Sequence, residues 1–61
     1  MTYRLVVDNG IDERIIPIQS ANLKEARREL VSELKAYEHA SGRVEREVWV
    51  GRWYTLAVKA K

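Results

Sequence analysis

Apolar and polar positions along this chain change period twice, and those changes divide it into two strand pairs flanking one helix. From Thr2 to Val7 the residues are β-branched or aromatic, and Tyr3, Leu5 and Val7 alternate onto one face, which predicts a strand. Asp8-Asn9-Gly10 is a turn signal, because Asn and Gly take positive φ at little cost. Glu13 to Gln19 predicts the return strand. A four-residue loop, Asn9 to Asp12, sets Ile16 opposite Leu5 and Ile18 opposite Tyr3. A two-residue loop at Asn9-Gly10 would set Arg14 opposite Leu5, so the longer loop is preferred. Pro17 cannot donate a ladder bond, which puts this strand at a sheet edge.

From Ser20 to Gly42 the period lengthens. Leu23, Ala26, Leu30, Leu34 and Tyr37 recur at three- and four-residue intervals, the mark of one helical face. Ser20 can cap the start, or Asn22 can, with Glu25 completing a capping box. Gly42 supplies a left-handed stop. A helix of about 19 residues would span roughly 28 Å, enough to cross a four-stranded sheet. Lys24, Glu25, Arg28, Glu29, Ser32 and Lys35 form its solvated face, and His39 falls in its last turn.

Arg43 to Val50 and Arg52 to Ala60 predict a second hairpin turning at Gly51. With Val48 opposite Tyr54, the residues Val44, Val48, Tyr54, Leu56 and Val58 share the inner face. That register also puts Arg46 inside, near an edge where its head reaches water. Trp49 and Trp53 then face each other on the side away from the helix, together with Val6, Ile15 and Ala57.

The resulting fold class is α+β: a single domain, residues 1–61, with ββαββ order and one helix packed on a four-stranded mixed sheet, the β-grasp arrangement. The opening Met1-Thr2-Tyr3-Arg4-Leu5, the chain length, and Lys35-Ala36-Tyr37 ahead of Gly42 and Val44 resemble the immunoglobulin-binding domain of protein G. The resemblance is architectural. The β-grasp arrangement implies that the first and last strands pair in parallel at the centre, with the second and third, carrying Pro17 and Arg46, at the edges. Antibody binding is not carried over, because the helix surface bears a different charged set and fold alone does not transfer function.

Composition narrows the function classes. At 61 residues the chain buries only about 60% of its unfolded surface, and it has no Cys to add disulfides. No metal site or cofactor is expected from one His and no Cys. Self-association remains as a route to further burial. Eleven basic and nine acidic side chains, interleaved, leave a net charge of +2, without the concentrated basic face of a dedicated nucleic-acid binder. The N-terminal apolar run is short for a signal peptide, and no stretch approaches a membrane span, so the cytoplasm is the expected location.

Candidate chemistry is sparse. His39 has no partner placed by the sequence for acid–base work. Glu45 and Glu47 share a strand face roughly 7 Å apart, a spacing found in paired-carboxylate hydrolysis, but a small domain without a cleft favours solvated carboxylates. Asp8, Asp12 and Glu13 read as turn chemistry, lacking a calcium loop's ligand spacing. An enzyme is therefore not expected.

Trp49-Val50-Gly51-Arg52-Trp53-Tyr54 stands out. Its rings can serve as a cross-strand pair that only stabilises the hairpin. They can also form an interface with Val6 and Ile15, rimmed by Arg52, since aromatic residues and Arg are enriched at such sites. Or they can stack single-stranded nucleic acid, with Arg43, Arg52 and Lys59 on phosphates, although Glu45 and Glu47 would repel them. The interface reading is preferred: a non-enzymatic protein-interaction module, self-associating as a homodimer through the sheet face opposite the helix. A mobile-element inhibitor that blocks a host enzyme is a further class, with no motif behind it.

Overall fold

The computed structural model describes residues 2–60, Ala60 by its backbone alone. Its elements are β1 (Thr2–Asp8), β2 (Glu13–Ile18), α1 (Leu23–Leu34), β3 (Ser41–Trp49) and β4 (Arg52–Ala60). One helix lies on one face of a four-stranded sheet in ββαββ order, as the periodicities predict.

The first hairpin has the four-residue loop that aligns the apolar faces, with Leu5 opposite Ile16 and Tyr3 opposite Ile18. Gly10 takes φ +88° in that loop, and the Asn9 side chain accepts hydrogen bonds from the N–H groups of Ile11 and Asp12. Pro17 is on an edge strand, where its missing donor breaks no ladder.

The strand order corrects the β-grasp expectation. It runs β2-β1-β3-β4, and all three pairings are antiparallel. β3 holds the centre beside β1, and β4 takes the edge, so β1 and β4 do not pair in parallel and Arg46 is on a central strand. Two local features agree with β3 in the middle. Its Glu45 lies opposite Arg4 of β1, an opposite-charge pair across the ladder. Its Gly42 lets the helix descend: a Cβ built there would come 2.6 Å from Leu30 Cδ1.

The helix is shorter than the sequence period suggests, 12 residues or about 18 Å. Asn22 is the cap, its side chain accepting from the Glu25 N–H. Glu25 reaches back to the N–H of Ala21, one residue before the usual box partner. The helix ends at Leu34 without a glycine, since Lys35 is still right-handed and Gly42 lies inside β3. Tyr37 packs on the core from the following turn, which extended the apparent period beyond the helix. His39 is exposed in the connection to β3, not in the last turn of the helix. Tyr3, Leu5, Val7, Ala26, Leu30, Leu34 and Val44 make the core. No helix among the described residues is long and apolar enough to cross a membrane.

Candidate functional site

The second hairpin carries the residues singled out by the sequence, and two register shifts decide where they point. On β3, Glu47 pairs with Trp53 while Trp49 pairs with Arg52, which leaves Val48 as the extra residue. On β4, Val44 pairs with Ala57 and Glu45 with Thr55, which leaves Leu56 extra. Arg46 opposes Tyr54 on the helix side and is also opposite Tyr3 of β1. Its Nε is buried with no hydrogen-bond partner among the described residues.

The bulge at Val48 overturns the facing tryptophan pair. Trp53 lies on the side away from the helix, but Trp49, opposite Arg52, is turned to the helix side. Strand alternation places Arg52 and Trp53 on opposite faces, and Trp49 follows Arg52. Gly51 takes φ +76° at the hairpin tip, and no non-glycine residue described has positive φ. Val50 therefore does not enter the doubly left-handed turn that would have kept the strands in simple register.

The face opposite the helix was expected to be an uncovered apolar surface, and its centre is covered from within, while Ile15 and Val58 stay exposed on the edge strands. Arg4 on β1 donates through Nε to Glu45 Oε1 at 2.7 Å, and its guanidinium lies 4.0 Å from the centre of the Trp53 ring on β4. Arg43 on β3 donates to Glu45 Oε2 at 2.8 Å and to Glu13 on β2 at 3.3 Å. Each arginine thus crosses an intervening strand. Arg43 passes over β1 where Val6 sits, and Val6 is only 1% exposed. The two arginines form a thin second layer, so Val6 is interior and cannot be a contact residue. Ile15 is exposed beside it, Trp53 is half-buried beneath Arg4, and Arg52 is exposed at the hairpin end.

Glu45 is 7% exposed. Burial opposes its ionisation, but hydrogen bonds from Arg43 and Arg4 outweigh that cost and hold its carboxyl below the ordinary range. The hydrogen bond to Glu45 likewise raises the Arg43 guanidinium above its ordinary value, against partial desolvation. Glu47 accepts from the Gly51 N–H and so braces the turn. These two carboxylates are structural acceptors in the described geometry. Asp8 accepts from the Gly10 N–H, in keeping with turn chemistry. With Arg4 over Trp53, and Trp49 on the other side of the sheet, the two indoles do not form one stacking platform.

Ile11, Ile15, Val31 and Val58 are exposed singly elsewhere, whereas at the hairpin end exposed apolar residues are neighbours in the strands. Trp49 is 72% and Val50 91% exposed, with Val48, Tyr54 and Leu56 close along the strands. A nine-residue strand extends about 30 Å against the helix's 18 Å, so the helix cannot cover the whole inner face of this hairpin. In the sequence Val48 and Tyr54 keep the alternation of core positions, which hides them as contact candidates. No family model matches the chain, and comparison with curated proteins and with solved structures found no significant match.

Proposed function

We propose that this chain is a non-enzymatic protein-interaction module that associates with a second copy of itself through the end of its second hairpin. The observation that carries the reading is the exposed apolar group around Trp49 beyond the reach of α1. Large aromatic side chains supply most of the energy at interfaces, and Trp49 is presented at a tip with Tyr54 behind it and Arg52 at the rim. Together these side chains offer roughly 500 Å² of surface per chain, so a symmetric pair would bury about 1,000 Å², the lower end for specific association. The expected dimer is accordingly weak. A short chain without disulfides gains from such burial.

Sedimentation velocity across the micromolar range is the test. The wild-type chain should shift from monomer to dimer at high micromolar concentration. Trp49→Ser should remain monomeric with an unchanged far-ultraviolet spectrum, whereas Ile15→Ser, on the arginine-covered face, should dimerise as the wild type does. A wild-type chain that stays monomeric throughout removes the reading, and dimerisation lost through Ile15→Ser moves it to the other face.

A further inference from the structure

A second surface, independent of the hairpin end, lies where α1 passes the free edge of β4. The helix segregates its charge on either side of the buried stripe. Taking 100° per residue, Leu23, Ala26, Leu30 and Leu34 point to the sheet. Lys24, Arg27, Arg28 and Lys35 fall on one flank, with Val31 among them, and Glu25, Glu29 and Glu33 fall on the other. The basic flank faces β4, because Arg27, Leu30 and Val31 border a trough whose other wall is residues 57–59. A shallower continuation of it runs along the helix past Lys24, Arg28 and Lys35. The acidic flank faces the β2 side, where Glu29 accepts from the Ser20 hydroxyl and Glu33 acts on Arg14.

The trough has a steric origin. Gly42 draws the helix down onto β3, and Ala57, the inner-face residue of β4 beside Val44, is too small to fill the space left under Arg27 and Val31. Lys59, opposite Gly42, projects to the same side. Lys24, Arg27, Arg28 and Lys59 make no ion pair among the described residues. Elsewhere on the sheet, Arg4 and Arg43 are paired with carboxylates. Beyond the bulge at Leu56 the β4 ladder is regular through residues 57–60, with its outer edge unpaired among the described residues.

We infer that this trough binds a short extended acidic peptide, added antiparallel or parallel as a fifth strand on β4, with apolar side chains against Val31 and Ala57 and carboxylates on Arg27 and Lys59. The free edge supplies main-chain pairing, the floor supplies apolar contact, and the unpaired cations set the sign of the partner. The apolar floor and strand edge favour a peptide over a phosphate backbone, which would use the cations alone. The other sheet edge is a poor alternative, because Pro17 interrupts it and the helix flank above it is acidic. This inference does not rest on self-association.

The test uses the fluorescein-labelled peptide DTVTLTD, whose acids and apolar residues share one face of a strand. Its controls are KTVTLTK and the proline-interrupted DTVPLTD, all measured by fluorescence anisotropy against the intact chain at low and moderate salt. DTVTLTD should bind at least about tenfold more tightly than either control, and more weakly as salt rises. The double variant Arg27→Glu/Lys59→Glu should reverse the preference toward KTVTLTK, and Trp49→Ser should leave binding unchanged. Equal binding of DTVTLTD and KTVTLTK to the wild type overturns the inference, as does undiminished binding of DTVPLTD. Binding of single-stranded oligo-dT with none of DTVTLTD also overturns it, in favour of a phosphate site. Because the peptide comparisons use the wild-type chain, they stand even if the double variant fails to fold, and loss of dimerisation alone would leave them untouched.

Discussion

Glu45 shows how one carboxylate organises a sheet face. It is buried, accepts from two arginines on different strands, and through them connects all four strands on the side lacking a helix. Such a group stabilises only while ionised. Its folded pKa is depressed, so its contribution is fully present above its ordinary value, 4.5, and is lost as pH falls through the lower folded value. Glu45→Gln should destabilise the chain by about 1–3 kcal/mol at neutral pH, because it leaves two partly buried guanidiniums short of a charged acceptor. It should also flatten the acid side of the stability curve. Urea unfolding from pH 7 to pH 3, wild type against variant, checks both: the stability gap should narrow toward low pH, and a constant gap would assign Glu45 a packing role only. The sequence showed the Glu45–Glu47 face, with Arg43 two positions before Glu45, but not Arg4, which is 41 positions away, because nothing local specifies which strand β1 will meet.

At the scale of elements, local signals were legible where they are closed within a few residues. The Asn9 loop and the Asn22 cap involve groups three residues apart, and both form as their chemistry requires. Asn22→Ala should lower stability by about 1 kcal/mol through loss of the cap, read as a lower thermal midpoint by circular dichroism at the helix wavelength. Asn22→Asp should retain most of it, and an unchanged midpoint in the alanine variant would mean that Glu25 alone holds the helix start. The helix C-terminus was misread for the opposite reason. Tyr37 keeps helical spacing yet packs from a turn, so periodicity continued where hydrogen bonding had stopped. The second hairpin departs from simple alternation because each of two bulges adds one residue: the one at Val48 turns Trp49 to the helix side, and the one at Leu56 brings Ala57 rather than Val58 to that side. Val48 carries no mark separating a bulged valine from a laddered one.

For the whole molecule, helix and sheet meet at Gly42. Its backbone is the floor on which Leu30 and Leu34 rest, and any side chain there must displace Leu30 or lift the helix. Gly42→Ala should therefore destabilise by about 1–3 kcal/mol, despite the better strand propensity of alanine, and Gly42→Ala with Leu30→Val should recover part of that loss. Chemical denaturation of the single and double variants measures it, and a neutral single variant would show that Leu30 has room to move. The same close approach concentrates the helix over β1, β3 and Ala57. It leaves the far end of the second hairpin and the β4 edge uncovered, the two surfaces on which the functional proposals stand.

The amino-acid order by itself determined the number, type and sequence of elements, the first hairpin's register, the helix start and most of the helix-facing core. These follow from backbone chemistry and hydrophobic period within a single element or across one tight turn. Tertiary structure alone decided that β3 rather than β4 adjoins β1, that Arg4 and Arg43 cover the centre of the open face, and that Trp49 and Trp53 part company. Each depends on contacts between residues far apart in the chain, or on a one-residue slip whose energy is set by the whole sheet rather than by the residue that slips.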